Sequence, residues 1–178
     1  MKKNQHITMI VTLAFLIALE IILTRFLSIT LPIVRIGFGF LPVAIAGILF
    51  GPLWAGIAYA VGDILGMLIW PAVGGYFPGF TATCFTVGVI YGLVLHNKDI
   101  TWKRAALAAS LVIFIGTICL NTLWVSILYG KAFWGLMPAR LMEAAILLPV
   151  QILIIKLIND RILETGAIRR LLPRTNES

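Results

Sequence analysis

The sequence predicts an all-α, polytopic membrane protein: a compact bundle of six transmembrane helices that forms a single domain over residues 1–178. Two observations support this fold class. Of the 178 residues, 61% are hydrophobic and 12% are charged, and the mean hydropathy is +1.04, which is far from the composition of soluble domains. The apolar residues also form runs separated by Gly, Pro and charge clusters, and most of these runs are long enough to cross a bilayer as a helix.

The apolar runs define six candidate spans, at residues 7–27, 39–51, 53–70, 78–95, 105–128 and 133–157. The second is short, because a spanning helix usually needs ~20 residues. The connections are brief and leave no segment for a soluble domain. The N-terminal "MKKNQH" leads into a run of full spanning length with no small-residue cleavage pattern, so we expect the first helix to stay in the mature protein rather than act as a cleaved signal peptide.

The distribution of Lys and Arg predicts that both termini lie in the cytoplasm. An even number of spans places the termini on one side, and cytoplasmic flanks carry the excess of basic residues. With cytoplasmic termini, the inner bases are Lys2, Lys3, Lys98, Lys103, Arg104, Lys156, Arg161, Arg169, Arg170 and Arg174, and the outer ones are Arg25, Arg35, Lys131 and Arg140. The net charge of +7 therefore indicates orientation and contact with anionic lipid rather than binding of nucleic acid.

Polar side chains within the spans cluster at one depth. Counted at ~1.5 Å per helical residue, five of them lie roughly 10–15 Å below the outer surface. They are Glu20, Asp63, Asn121, Arg140 and Glu143. The inner halves of the spans contain almost no comparable polar side chain, and Gln151 is the exception. Ionisable groups at this depth normally face a cavity or one another, so the layer predicts a cavity that opens outward. Internal pairing is the alternative for Arg140 and Glu143, which are i,i+3 neighbours on one helical face.

Aromatic residues are concentrated on the same side of the bundle. The outer ends and loops contain Phe26, Phe38, Phe40, Trp70, Tyr76, Phe77, Phe80, Trp124, Tyr129, Phe133 and Trp134. An interfacial belt accounts for some of these rings, but belts form at both interfaces, so several rings are predicted to line a site for a flat, partly apolar ligand. Arg25 and Arg35 in the first outer loop can make bidentate contacts to carboxylates, with snorkelling at the rim as the alternative.

Sequence patterns for catalysis and nucleotide binding are missing. The chain has no Walker A sequence, no H-E-x-x-H and no G-x-S-x-G, and its histidines lie in cytoplasmic flanks. Cys84 and Cys119 lie inside apolar runs and are interpreted as packing residues rather than metal ligands. We therefore expect no catalytic residue, no metal and no cofactor, and a membrane enzyme or a stand-alone facilitator is a less favoured alternative to a ligand-capturing protein.

Three segments, together with the layout of six spans, carry a resemblance to a known family. They are "GFGFLPVAIAGILFGPLWAGIAYAVGDILG" (Gly37 to Gly66), "PGFTATCFTVGVIYGL" (Pro78 to Leu93) and "ARLMEAAILLPVQ" (Ala139 to Gln151). The chain resembles the substrate-capturing S components of energy-coupling factor (ECF) vitamin transporters, and within them the folate-specific branch most. Riboflavin, thiamine or pantothenate would be the ligand if the branch were a different one.

The resemblance implies a multi-pass protein of a prokaryotic plasma membrane that binds a vitamin with high affinity, here folate or a reduced folate. Its implied partners are a transmembrane coupling T subunit and two ABC ATPases, and its implied mechanism is toppling in the bilayer. Small residues of the first helix would contact the T subunit, and Ala14 and Ala18 match that pattern.

The same resemblance gives hypotheses for the ligand contacts. Phe38, Phe77, Phe80 or Trp124 would stack on the ligand rings, with Phe40 in the wall. Asp63 or Glu143, together with Asn121, would bind the amino-pyrimidine edge, and Arg25, Arg35 or Arg140 would meet the carboxylates. Thr81 completes the predicted site.

Overall fold

The computed structural model describes residues 2–30, 35–71, 75–130 and 132–160, and for residues 2–5, 29–30 and 35–36 it describes the backbone alone. The helices are α1 (Lys2–Arg25), α2 (Phe40–Ile69), α3 (Pro78–Leu95), α4 (Trp102–Leu111), α5 (Thr122–Tyr129) and α6 (Phe133–Ile158). Between α4 and α5 the chain is π-helical from Val112 to Asn121, a stretch called here the π segment. Two short strands, β1 (Ile29–Thr30) and β2 (Arg35–Ile36), pair antiparallel.

Within the described residues, five helices are long and apolar enough to cross a membrane: His6–Arg25, Phe40–Ile69, Pro78–Leu95, Trp102–Tyr129 and Phe133–Ile158. The protein is therefore a polytopic, almost entirely helical membrane protein. The predicted spans 39–51 and 53–70 both correspond to the single helix α2, so the count differs from the predicted six. The predicted orientation also depends on bases that lie outside the described residues, at position 131 and beyond 160.

The backbone of α2 is interrupted at Gly51. This residue has φ 84° and ψ −177°, and Pro52 follows it. Because a side chain makes such a positive φ unfavourable, glycine suits this break, and proline is tolerated after it as the first residue of a new helical segment. The ring of His96 lies close to Gly51, and His96 Nδ1 is 2.9 Å from the carbonyl oxygen of Ile48.

The two segments of α2 follow α3 in opposite directions. Before the break, contacts advance along α3 from Gly92, which lies opposite Gly47, to His96. After the break they return from Gly92 to Gly88, which lies opposite Ala55. The chain therefore reverses its direction at the break, and α2 consists of two antiparallel helical segments packed on one neighbour.

Small residues make up much of the core. Ala44, Ala55, Ala105, Ala108 and Ala109 are all fully buried, and larger side chains fill the spaces between them. Large apolar residues, among them Phe15, Leu68, Phe114 and Met142, cover the outside. This distribution is typical of helices in lipid, where burial of apolar surface gives little drive for association and close backbone approach with good packing stabilises the bundle.

Candidate ligand-binding cavity

A cavity of about 950 Å³ lies between the helices at one end of the bundle. Its size is in the range of small-molecule sites, about 300–1,000 Å³. It is lined by the last turns of α1, the beginning and the end of α2, the first half of α3, the π segment with α5, and α6 as far as Gln151. All five members of the predicted polar layer line it, so the fold brings Glu20, Asp63, Asn121, Arg140 and Glu143 together around one space.

One face of α6 forms a wall of the cavity. Its lining residues are Leu136, Arg140, Glu143, Leu147 and Gln151, which are spaced by three or four positions and are all buried. This spacing places them in one stripe along the helix. The stripe combines apolar and polar side chains, so a ligand against this wall would meet the charged groups of Arg140 and Glu143 in its outer part and the amide of Gln151 at the inner end.

Arg140 and Glu143 form a buried ion pair on this wall. Arg140 Nη1 donates to Glu143 Oε2 at 2.7 Å, and the two residues are 6% and 4% exposed. The pairing alternative raised by the sequence is therefore present in the structure. It satisfies only part of the guanidinium, because Arg140 Nε is buried and has no hydrogen-bond partner among the described residues. A buried charged donor without a partner is costly, so a ligand acceptor that reached the guanidinium would be favoured.

Glu20 of α1 contributes a second buried carboxylate to the cavity. Thr24 Oγ1 donates to Glu20 Oε1 at 2.7 Å, one turn along the helix. Gly62 leaves the space for this carboxylate, because a Cβ there would collide with it. The carboxylate also lies close to Gly39, directly before the first turn of α2, where the helix dipole favours negative charge.

Asp63 is held by the first turn of α3. Thr81 Oγ1 donates to Asp63 Oδ2 at 2.7 Å, and the same hydroxyl lies 3.2 Å from the hydroxyl of Tyr76. Tyr76 and Asp63 line the cavity, whereas Thr81 supports them from behind. The hydrogen bond from Thr81 fixes the Asp63 carboxylate of the second α2 segment against α3 and leaves the other carboxylate oxygen available for a ligand.

Aromatic rings form the wall at the beginning of α3. The ring of Phe77 lies 5.9 Å from that of Phe80 and 5.7 Å from that of Trp124. Trp124 Nε1 donates to Thr83 Oγ1 at 3.0 Å, which fixes the indole. Phe77 and Phe80 line the cavity, and Trp124 packs behind them. Such a cluster offers ring faces and edges to a flat ligand.

The π segment determines which residues of its helix face the cavity. Val112, Gly116, Thr117 and Asn121 line it, whereas Cys119 is exposed on the outside. In an α-helix the nine steps from Val112 to Asn121 would make roughly two and a half turns and place these two residues on opposite faces. The wider π-helical turn, with its i→i+5 hydrogen bonds, explains how both face the same space.

The predicted ligand-binding residues differ in where the structure places them. Those that line the cavity are Arg25, Phe40, Asp63, Phe77, Phe80, Asn121, Arg140 and Glu143. Thr81 and Trp124 contact lining residues instead. Phe38 is 41% exposed and lies outside the lining, with its ring 6.5 Å from that of Phe40. The side chain of Arg35 lies outside the described residues. The ligand contacts of all these residues stay predictions.

The predicted list omits several lining residues. Tyr59 precedes Asp63 by one helical turn, so its position on the same face could have identified it. Gln151 was visible as an unusually deep polar residue, and Thr83 had no signal in the sequence. No group of three or more His, Cys, Asp or Glu side chains within the described ranges is arranged to hold a metal ion.

Several membrane-spanning helices around a cavity of this size, with charged groups buried on its wall, define a membrane-embedded protein with a site for a small ligand. Residues 8–159 match the family described as "ECF transporter, substrate-specific component". The chain therefore belongs to the substrate-specific components of ECF transporters, a transporter family rather than a family of enzymes.

Relatives and a solved structure agree with this family. The chain is 48% identical over 151 residues to the "Folate transporter FolT" of Clostridium novyi (strain NT), which covers 85% of this chain and 87% of the relative. It is 32% identical over 148 residues to the "Folate transporter FolT" of Leuconostoc mesenteroides, and the match covers 80% of this chain and 79% of the relative. The structure described as "Crystal structure of FolT bound with folic acid" superimposes with a TM-score of 0.81 at 37% identity and covers 85% of this chain and 92% of the other.

Proposed function

We propose that this chain captures folate in the cavity and delivers it across the plasma membrane of a prokaryote as the S component of an ECF transporter. The observation that carries the proposal is the buried pair of Arg140 and Glu143 on the cavity wall, with one guanidinium donor left without a partner in the described part of the chain. The relatives named folate transporter and the folic acid-bound neighbour support folate as the ligand.

The chemistry of folate matches the wall groups. The amino-pyrimidine edge of the pterin carries N–H donors from which the Glu143 carboxylate would accept, and its oxo group would accept from the guanidinium of Arg140. Asn121, which lines the cavity, would add an amide contact at this edge. The rings would lie against Phe77 and Phe80. The glutamate tail would stay near the mouth of the cavity, where Arg25 at the end of α1 lines the wall, because a bidentate guanidinium contact suits a carboxylate.

For the topology we infer six spans with both termini in the cytoplasm. The reversal of α2 at Gly51 supports two separate spans in that helix. The cavity then opens to the outside. The opposite end of the bundle, which carries most of the described Lys and Arg side chains, faces the cytoplasm, as is usual for membrane proteins.

Delivery requires partners that supply energy. We infer a transmembrane T subunit and two ABC ATPases, with ATP hydrolysis confined to those partners. Ala14 and Ala18 are both exposed and lie one turn apart on α1, so another helix could approach this face closely. Toppling of the loaded protein in the bilayer would then bring the cavity toward the cytoplasm, and no cofactor is needed for this step.

Purified protein tests the proposal in two stages. In detergent and without partners, it should bind folic acid tightly and should not bind riboflavin, thiamine or pantothenate. In liposomes, uptake of folic acid should need the T subunit, the ATPases and ATP. Binding of another vitamin with no binding of folic acid would contradict the proposed ligand. Flux through the isolated chain would contradict the transport mechanism.

A further inference from the structure

The inner end of the cavity contains a polar pair that the charged layer does not include. Gln151 is the lining residue of α6 farthest from the beginning of that helix, eleven residues or roughly 16 Å beyond Arg140. The hydroxyl of Tyr91 donates to Gln151 Oε1 at 3.1 Å. Tyr91 is fully buried and Gln151 is 5% exposed, so the bond lies in the packed interior of the bundle.

Tyr91 fixes the orientation of the Gln151 amide. The tyrosine packs within the core between α2 and α3, where the backbone of Gly47 lies against it, and it has little freedom to move. Because its hydroxyl donates to Oε1, the nitrogen of the Gln151 amide points away from it. That nitrogen donates no hydrogen bond within the described part of the chain, and it keeps some accessible surface toward the cavity.

The surroundings make this donor important for a ligand. Val87 and Val112 line the cavity and belong to the same apolar core cluster as Tyr91, and Leu147 lines it one turn before Gln151, so the wall around the amide is apolar. Without a ligand, water can accept from the amide. A ligand that displaces this water must supply an acceptor, because a donor desolvated without a partner opposes binding.

We propose that Gln151 is a ligand-binding residue that donates a hydrogen bond to a ring nitrogen at the inner edge of the ligand's heteroaromatic ring, and that Tyr91 is a positioning residue for this amide. The inference rests on the proposed function and deepens it. It places a second edge of the pterin ring beside Gln151, inward of the amino-pyrimidine edge that Glu143 and Arg140 would bind, and predicts that Gln151 discriminates in favour of ligands with an acceptor there.

Fragments of the ligand test this directly. The affinities of folic acid, pterin-6-carboxylate and p-aminobenzoylglutamate are measured for the purified full-length protein and its variants. Gln151→Leu should lower the affinity for the two pterin compounds roughly tenfold, since one hydrogen bond to the ring is lost, and leave that for p-aminobenzoylglutamate unchanged. Tyr91→Phe should produce a smaller, roughly threefold loss with the same selectivity, and no further loss in the Gln151→Leu background.

The controls separate binding from folding and from the proposed function. Leu153→Ala, on the exposed side of α6 two residues away, should bind all three compounds like the wild type. If Gln151→Leu does not fold, Gln151→Met and Tyr91→Phe provide the same comparison. Equal losses for all three compounds, or no loss for the pterins, would overturn the inference while folic acid binding by the wild type stands. Absence of folic acid binding by the wild type would overturn the proposed function and the inference with it.

Discussion

Arg140 Nη1 donates to Glu143 Oε2 across 2.7 Å, and this ion pair lies on the cavity wall rather than inside the packed core. The sequence allowed two explanations for these residues, mutual neutralisation or a site for a ligand. The structure contains the pair, yet the remaining Nε of the guanidinium has no partner among the described residues. The two explanations are therefore compatible, and variants can measure each contribution separately.

The first prediction concerns this pair. Arg140→Met alone leaves the buried carboxylate of Glu143 without its partner, so it should lower the free energy of unfolding by about 3–5 kcal/mol. It should also weaken folic acid binding more than tenfold, or ~1.4 kcal/mol. The double variant Arg140→Met with Glu143→Leu should recover most of the stability but not the affinity. Thermal unfolding in detergent and ligand titration measure the two quantities.

The partly exposed pair of Lys156, in the last turn of α6, and Asp160, just after that helix, is a matched control. Its side chains are 20% and 41% exposed, and an ion pair in contact with solvent contributes little. Lys156→Met should therefore leave both stability and folic acid affinity close to the wild type. Full affinity in the double variant at positions 140 and 143 would mean that the pair has a structural role only.

A second prediction tests the close packing of α2 on α3. A Cβ at Gly92 would lie within 3.0 Å of backbone atoms of Pro52 and Gly51, so neither side can yield through a side-chain rotation. Gly92→Ala should lower the free energy of unfolding by about 1–3 kcal/mol through overpacking. Gly135→Ala is the control, because the nearest atom to its Cβ lies 3.9 Å away and alanine favours a helix by roughly 0.5–1 kcal/mol. Equal melting temperatures for the two variants would contradict this packing.

The sequence predicted the helical fold well and the break in α2 only partly. Apolar runs locate helices because their length follows from the membrane thickness, and α3 begins and ends at the predicted residues, Pro78 and Leu95. The pair of Gly51 and Pro52 marked a boundary, but a sequence does not give the backbone angles that make the chain reverse there. The reversal is seen only in the structure, from the contacts that the two α2 segments make along α3.

The π segment is the feature that periodicity could not predict. Helical wheels assume 3.6 residues per turn, and with that spacing Cys119 would share the face of Val112 while Asn121 would not. The structure has the opposite arrangement, because a π-helical turn holds more residues. Depth in the membrane still predicts Asn121 as a lining residue, because a change of winding alters the depth of a residue little.

Cysteine labelling gives the third prediction, which tests this winding. The chain has two cysteines, of which Cys84 lines the cavity and Cys119 is exposed on the outside. In single-cysteine variants, folic acid should slow the reaction of a maleimide with Cys84 and with an Asn121→Cys substitution by more than tenfold, and leave that of Cys119 unchanged, because the ligand would cover the cavity wall alone. Protection of Cys119 with no protection at position 121 would indicate α-helical winding.

The fourth prediction concerns the support behind the aromatic wall. Trp124→Phe keeps a ring beside Phe77 but removes the hydrogen bond from Nε1 to Thr83, so folic acid affinity should fall by about threefold to tenfold. Trp124→Ala should reduce it further, because the ring contact is lost as well. Trp134→Phe is the control, since that indole is 79% exposed. Equal titration curves for the two phenylalanine variants would exclude a role of Trp124 in the site.

The fifth prediction separates ligand capture from delivery. Ala18 is exposed on α1, and a large side chain there would hold another helix away without reaching the cavity. Ala18→Trp should therefore bind folic acid like the wild type, yet lose co-purification with the T subunit and reduce ATP-dependent uptake in liposomes more than tenfold. Phe15→Trp is a matched control on the same side of the helix, because Phe15 is 66% exposed and already carries a ring, so the substitution adds little bulk. Normal uptake by Ala18→Trp would place the contact with the T subunit elsewhere, whereas a loss of binding in detergent would show that this position affects the cavity itself.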